Sequence, residues 1–186
     1  MKANPKFHRQ FKPAQRGVGI VSVLLGLVIG AGLLAVTFNQ YQDSQRKARI
    51  EAATAELTSM ISEAQKTYGN PNQYGAVTTA VAVQGGVVPP RLRIAGTNTA
   101  QNRYNGAITF APATITSAND SLTLTYNNVI NIDCQDLILT MERLSRRVAV
   151  GATIVKPNDG VINVATMATA CDAAPTANIA FTFGRY

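Results

Sequence analysis

The hydrophobic pattern changes character along the first third of the chain. Residues 18–38 form a run of 21 residues without a charged side chain. A helix of that length rises about 30 Å, which matches the hydrocarbon core of a bilayer. From residue 39 to residue 68 apolar positions recur at steps of three and four, which predicts an amphipathic continuation of the same helix. Gly69 and Pro71 predict its end, so one long helix is expected over residues 18–68.

Beyond residue 69 apolar and polar residues alternate with a period of two, which is typical of strands. Strands are predicted at residues 106–110, 121–126, 148–155 and 178–183, with a turn at residues 157–160. Short helices are predicted at residues 134–147, with Asp133 as the N-cap, and at residues 165–170; residues 69–105 are predicted to be mostly irregular. The pattern therefore predicts an α+β fold, in which a long N-terminal helix packs on an antiparallel sheet in a domain of residues 69–186.

Charge separates the first 17 residues from the rest. They hold five cations and no acid, whereas the remaining chain carries 12 Lys+Arg and 10 Asp+Glu. A basic N-terminal segment before an apolar run predicts a membrane helix whose C-terminal side is exported. A buried core helix and a cleaved secretory signal are the alternatives; the run is long for a signal peptide and has no small-x-small site behind it. The near-neutral remainder argues against a nucleic-acid-binding body.

Two pairs of residues suggest how the exported chain is held together. Gly26 and Gly30 form a GxxxG motif, which lets helices approach closely in an apolar setting, although glycine is also simply common in membrane helices. Cys134 and Cys171 are the only cysteines, and an even pair in an exported protein predicts a disulfide. Two free buried thiols are the alternative.

Composition leaves little room for catalysis. The only histidine, His8, lies in the basic N-terminal segment, so the folded domain offers no imidazole for a nucleophile or a metal site. No phosphate loop or metal-ligand cluster is present, and no catalytic residue, metal or cofactor is predicted. The cations Arg143, Arg146 and Arg147 form either a basic patch or a solvated helix end. Asp133 and Asp136 are explained by helix capping rather than by acid chemistry.

Together these features resemble type IV pilins. A basic leader of residues 1–17 ends in Gly17, an apolar helix follows at once, and a β-rich domain with two cysteines closes the chain. The resemblance implies that a prepilin peptidase cuts between Gly17 and Val18 and that Val18 is N-methylated. The order of cysteines, helices and final strand is most similar to the type IVb branch, which includes toxin-coregulated, bundle-forming and conjugative thin pili.

One position departs from that family. Most type IV pilins carry a glutamate at the fifth mature position, where it is thought to pair with the N-terminal amine of a neighbouring subunit. Here that position is Ser22, whose hydroxyl offers only a weaker hydrogen bond. Some tip-type minor pilins also lack this acid, so a minor role remains open.

The resemblance implies a structural, non-enzymatic subunit. It would be stored in the inner membrane with a periplasmic C-terminus, and would then polymerise with copies of itself, through a pilus assembly platform, into a surface filament. The filament would serve adhesion, aggregation or conjugative contact with host, recipient-cell or phage surfaces. A secretion-system pseudopilin or minor pilin is the nearest alternative, and a monomeric signal-anchored binding domain is the second.

Overall fold

The computed structural model describes residues 19–69 and 74–184, and within the first helix it leaves out the side chains of Ser22 and of residues 30–39. The chain divides into two compact units between Asp43 and Ser44. Helix α1, Ile20–Tyr68, supplies residues to both units. Within the described residues, no helix contains an apolar stretch long enough to cross a membrane.

The second unit is built on a six-stranded antiparallel sheet with the order β1-β2-β3-β6-β4-β5. The strands are β1 Ala100–Gln101, β2 Ala107–Ala113, β3 Ser121–Ile130, β4 Arg147–Val150, β5 Thr153–Lys156 and β6 Thr176–Gly184. The last strand lies between β3 and β4, so the C-terminal segment is central and completes the sheet. This architecture confirms the predicted α+β class.

One face of the sheet forms the core, because its strands alternate as the sequence does. Leu122 pairs with Phe183 and Leu124 with Phe181 across β3 and β6, and all four side chains are buried. The C-terminal half of α1 supplies the other side of this core. Its buried apolar positions follow one helical stripe; they are Ala53, Leu57, Met60, Ile61 and Ala64.

Three further α-helices complete the second unit: α2 Thr79–Gln84, α3 Asn131–Met141 and α4 Val164–Asp172. Asn163 caps α4, since its side chain accepts a hydrogen bond from the backbone N–H of Thr166. Helix α4 and strands β2, β3 and β6 confirm elements that the sequence pattern predicts. The segment predicted as mostly irregular contains α2, β1 and two short 3₁₀ helices, at Tyr74–Ala76 and Pro90–Leu92.

The prediction for residues 134–147 was wrong at both ends. Strand β3 passes directly into α3, whose N-cap position is Ile130, so Asp133 lies inside the first turn and does not cap it. The helix ends at Met141 and a 3₁₀ turn, Glu142–Leu144, follows. Arg146 is buried against Asp159 and Arg147 begins β4, so neither belongs to a solvated helix end.

The single strand predicted at residues 148–155 is a hairpin. Strands β4 and β5 pair with each other on either side of Gly151, which adopts a φ of +57°. Glycine reaches this left-handed region without the steric penalty of a Cβ, so the chain can reverse there. The alternation of apolar residues continues through the tight turn, which is why the pattern concealed it.

The loop between β2 and β3 is held by one carboxylate. Asp120 accepts hydrogen bonds from the backbone N–H groups of Ile115, Thr116 and Ser117, at 2.8, 2.7 and 2.8 Å. Burial opposes the charged form, but these N–H donors outweigh it and hold the pKa of Asp120 below its ordinary value.

We therefore expect Asp120→Asn to lower the free energy of unfolding by about 1 kcal/mol at pH 7, a modest value because the carboxylate is partly solvated. A carboxylate with a lowered pKa stabilises the fold above its unfolded-state pKa, and this contribution is lost as the pH falls below about 4. Urea unfolding of both chains between pH 7 and pH 3 checks this. A difference that stays constant over that range would contradict the assignment.

Candidate functional site

The first described residues of α1 present an exposed apolar surface. Eight large apolar side chains in residues 20–29 are between 55 and 79% exposed, and Ile20 and Val21 are the most exposed of them. Soluble monomers rarely present so continuous an apolar surface to water. Exposed apolar surfaces of this kind are typical of segments that contact a membrane or another protein.

Of the residues predicted to govern processing and helix packing, some lie within the described part of the chain and others do not. Gly17 and Val18 lie outside the described residues. Ser22, Gly26 and Gly30 all lie within α1, and the Ser22 side chain is outside the description. A Cβ built on Gly26 meets nothing within 4 Å, so the subunit itself does not require glycine there.

The predicted disulfide is confirmed. Cys134 and Cys171 are bonded, with their Cα atoms 5.8 Å apart, and both are fully buried. The bond joins the first turn of α3 to the last turn of α4. The backbone N–H of Asn131, at the start of α3, also donates to the carbonyl of Pro175 at 3.1 Å. The start of α3 is therefore linked to α4 through the disulfide and to the residue that precedes β6 through this hydrogen bond.

A buried carboxylate next to the disulfide anchors α1. Asp133 is completely buried and accepts hydrogen bonds from Arg49 Nε at 2.6 Å, Tyr104 Oη at 3.0 Å and Arg46 Nε at 3.2 Å. Arg46 also reaches Asp136 at 2.7 Å. We call Asp133 and its partners Arg46, Arg49 and Tyr104 the Asp133 clamp. The two arginines come from α1, whereas the acid and the tyrosine come from the domain of residues 74–184, which we call the head.

A second buried carboxylate, Glu56, belongs to α1 itself and lies about two helical turns after Arg49. Here α1 supplies the acid and the rest of the domain supplies the cation. Glu56 is 1% exposed and accepts from Arg103 Nη2 and from Tyr126 Oη, both at 2.7 Å, with Arg91 Nη2 at 3.8 Å. We call Glu56 and its partners Arg103 and Tyr126 the Glu56 clamp. The rings of Tyr104 and Tyr126 meet edge to face, with centroids 6.1 Å apart, so the two clamps are neighbours.

The environment of the clamps favours the ion pairs. The hydrogen bond to Asp133 raises the pKa of Arg49, and the hydrogen bond to Glu56 raises that of Arg103. Burial, followed by the charge or hydrogen bond of the adjacent carboxylate, raises the pKa of Tyr104 and of Tyr126. Both tyrosines therefore act as neutral donors and both arginines as cations.

Sequence reasoning missed the clamps, although part of the signal was present. The charged residues Arg46, Arg49 and Glu56 continue the apolar stripe of α1, because positions 46, 49, 53 and 56 follow one another at steps of three, four and three. A charge on a buried stripe indicates a buried partner. Capping, the role predicted for Asp133 and Asp136, is replaced by pairing with arginines of α1.

No group of three or more His, Cys, Asp or Glu side chains suited to a metal ion occurs in residues 19–69 and 74–184. The structure offers two features as candidate sites: the exposed apolar side chains of residues 20–29, and the two buried charge clusters around Asp133 and Glu56.

Comparison with solved structures shows what kind of fold this is. A type IVb pilin from Salmonella typhi superposes with a TM-score of 0.54 at 21% identity, over 70% of this chain and 99% of that one. TcpA, a type IV pilin from the Vibrio cholerae El Tor biotype, superposes with a TM-score of 0.52 at 17% identity, over 73% of this chain and 98% of that one. Comparison with curated proteins finds no match.

The long helix, the antiparallel sheet and the disulfide between α3 and α4 thus define the fold of a type IVb pilin. Residues 47–184 match the family described as PilS N terminal, which covers most of the second unit. The chain belongs to this PilS family and has the fold of a type IVb pilin.

Proposed function

We propose that this chain is a structural subunit that polymerises through its N-terminal helix into a type IVb-like surface filament. The observation that carries the proposal is the exposed apolar surface of residues 20–29 on a chain whose second unit has a pilin fold. In the inner membrane lipid covers this surface, and in the filament the helices of other copies cover it. The same apolar surface then contacts lipid during storage and the helices of other copies after assembly.

The residues proposed for processing and for helix packing take their roles from the resemblance to type IV pilins. Prepilin peptidase cuts between Gly17 and Val18, which removes the leader of residues 1–17 and leaves Val18 as the methylated N-terminus. Residues 18–38 form the membrane and filament core. Gly26 and Gly30 allow close helix packing, and Ser22 contributes a hydroxyl where most relatives carry an acid.

The second unit faces outward in this proposal. Its head coats the filament and meets host cells, recipient cells or phages, so that the filament serves adhesion, aggregation or conjugative contact. The pilus assembly platform and the inner membrane are its partners before polymerisation. The body of the chain carries almost balanced charge, which favours contacts of mixed polarity over general attraction to an anionic polymer.

Electron microscopy of sheared surface material, combined with mass spectrometry, tests the proposal. We expect filaments in which this chain is the dominant protein and in which its sequence begins at Val18. A Gly17→Leu chain serves as the matched control, since the branched side chain blocks cleavage; it should keep its leader and yield no filaments.

Ser22 favours a second candidate, a minor pilin, because it lacks the acid that most major subunits use. Filaments that contain this chain only at low copy number would replace the major-subunit proposal with this one. An intact leader together with no filaments would support a monomeric signal-anchored domain and would overturn both.

A further inference from the structure

We propose that Glu56 and Asp133 are positioning residues that fix the register of α1 on the head. The two clamps have opposite polarity. At the Asp133 clamp α1 contributes the cations Arg46 and Arg49, whereas at the Glu56 clamp it contributes the anion. In the native axial placement of α1, both ends of this charge pattern meet partners of the opposite sign.

The apolar stripe alone discriminates weakly between registers. If α1 slid by one turn, so that each position was filled by the residue four further on, four of its five buried positions would again hold apolar side chains. The replacements would be Leu57 for Ala53, Ile61 for Leu57, Ala64 for Met60 and Tyr68 for Ala64. Cores tolerate such exchanges of size with moderate loss.

The same slide destroys both clamps. Met60 would stand where Glu56 meets Arg103 and Tyr126, and Ala53 would stand where Arg49 meets Asp133. This slide leaves the buried Asp133 carboxylate without its arginines and the buried Tyr126 hydroxyl without the Glu56 carboxylate, which is strongly unfavourable in a low-dielectric interior. Register specification by buried polar groups is the best attested use of such groups, as in coiled coils.

The consequence for assembly rests on the proposed function. If α1 carries the polymerising surface, its register decides which residues of α1 the head holds. Subunits that differ by one turn, about 5.4 Å along the helix axis, could not pack side by side in one lattice. Glu56 and Asp133 would then act on assembly through the placement of α1, without touching another subunit.

Cross-linking on the full-length subunit, solubilised in detergent and not assembled, measures the register directly. Thr58 Oγ1 lies 3.9 Å from Met141 Sδ, so a Thr58→Cys and Met141→Cys pair reports the native placement. Ser62 is the matched reporter, because it is also exposed and would occupy the place of Thr58 after a one-turn slide. The native disulfide is left oxidised, and the new links are mapped by mass spectrometry.

With both clamps intact we expect the 58–141 link to exceed the 62–141 link at least tenfold. A chain with the four substitutions Glu56→Leu, Asp133→Leu, Tyr104→Phe and Tyr126→Phe has no clamp and no unpaired tyrosine hydroxyl. In this unclamped chain the ratio should fall to about threefold or less. An unclamped chain that folds and keeps the tenfold ratio would overturn the proposal.

A charge exchange keeps the test decisive if the unclamped chain does not fold. Glu56→Arg alone places two arginines together and should abolish the preference for the 58–141 link. Adding Arg103→Glu restores an opposite pair and should restore the tenfold ratio. If the single variant keeps the full ratio, or the exchange restores nothing, the register does not depend on the clamps. Because no filament is needed, this result stands apart from the proposed polymerisation.

Discussion

Replacing Cys134 and Cys171 together by serine is expected to lower the free energy of unfolding by about 3 kcal/mol. The disulfide closes a loop with a sequence separation of 37 residues, for which loss of unfolded-chain entropy gives roughly 4 kcal/mol at most. The loop contains α3, the hairpin and α4, so cross-linking restricts much of the unfolded head. Denaturant unfolding of the full chain in detergent measures the change.

The single replacements provide the control for this prediction. Cys134→Ser and Cys171→Ser each open the same loop, so each should destabilise the chain about as much as the double replacement does. Reduction of the unmodified chain removes the bond with no change of side chain and should give a similar loss. If oxidised and reduced chains unfold within about 0.5 kcal/mol of each other, the bond does not stabilise the head in this way.

The disulfide also explains why Asp133 can serve as a fixed anchor. Cys134 follows it directly, and its bond to Cys171 ties the first turn of α3 to α4. The carboxylate is thus presented to α1 from a turn that is held covalently. A destabilised α3 should loosen the Asp133 clamp before it affects the Glu56 clamp, whose partners Arg103 and Tyr126 lie outside the closed loop.

Local sequence patterns were sufficient to predict a strand wherever apolar and polar residues alternate along it with a period of two. The alternation of Leu122, Leu124 and Tyr126 predicted β3, and that of Ile179 and Phe181 predicted β6. Those patterns arise because one face of each strand is buried, which is a property of the strand itself. The same signal failed at Gly151, where a tight turn left the alternation unbroken.

The clamps could not be derived in this way, because their meaning depends on distant partners. Asp133 follows Arg49 by 84 residues and Tyr126 follows Glu56 by 70. Helix rules that consider only nearby residues assign a carboxylate in the first turn to the helix dipole or to a cap. Only the folded arrangement shows that the carboxylate of Asp133 is directed at another helix.

Gly26→Leu is expected to reduce the yield of filaments at least tenfold while it leaves the unassembled subunit intact. In the subunit a side chain at Gly26 meets no atom within 4 Å, and replacing a helical glycine removes a destabilisation of about 1 kcal/mol. In the proposed filament the glycine would let another helix approach its backbone, and a leucine would hold the two helices apart. The amount of sheared filament per cell, set against the amount of subunit in the membrane, measures the effect.

Gly19→Leu is the matched control, because a side chain at Gly19 also meets nothing within 4 Å but lies outside the GxxxG motif. It should retain most of the filament yield. Gly26→Ala should fall between the two, since a methyl group separates the helices less than an isobutyl group. Filaments formed by the Gly26→Leu chain at the unmodified level would show that the apolar helices of different copies do not meet at this glycine. The polymerising contact would then have to lie on another part of the exposed surface of residues 20–29.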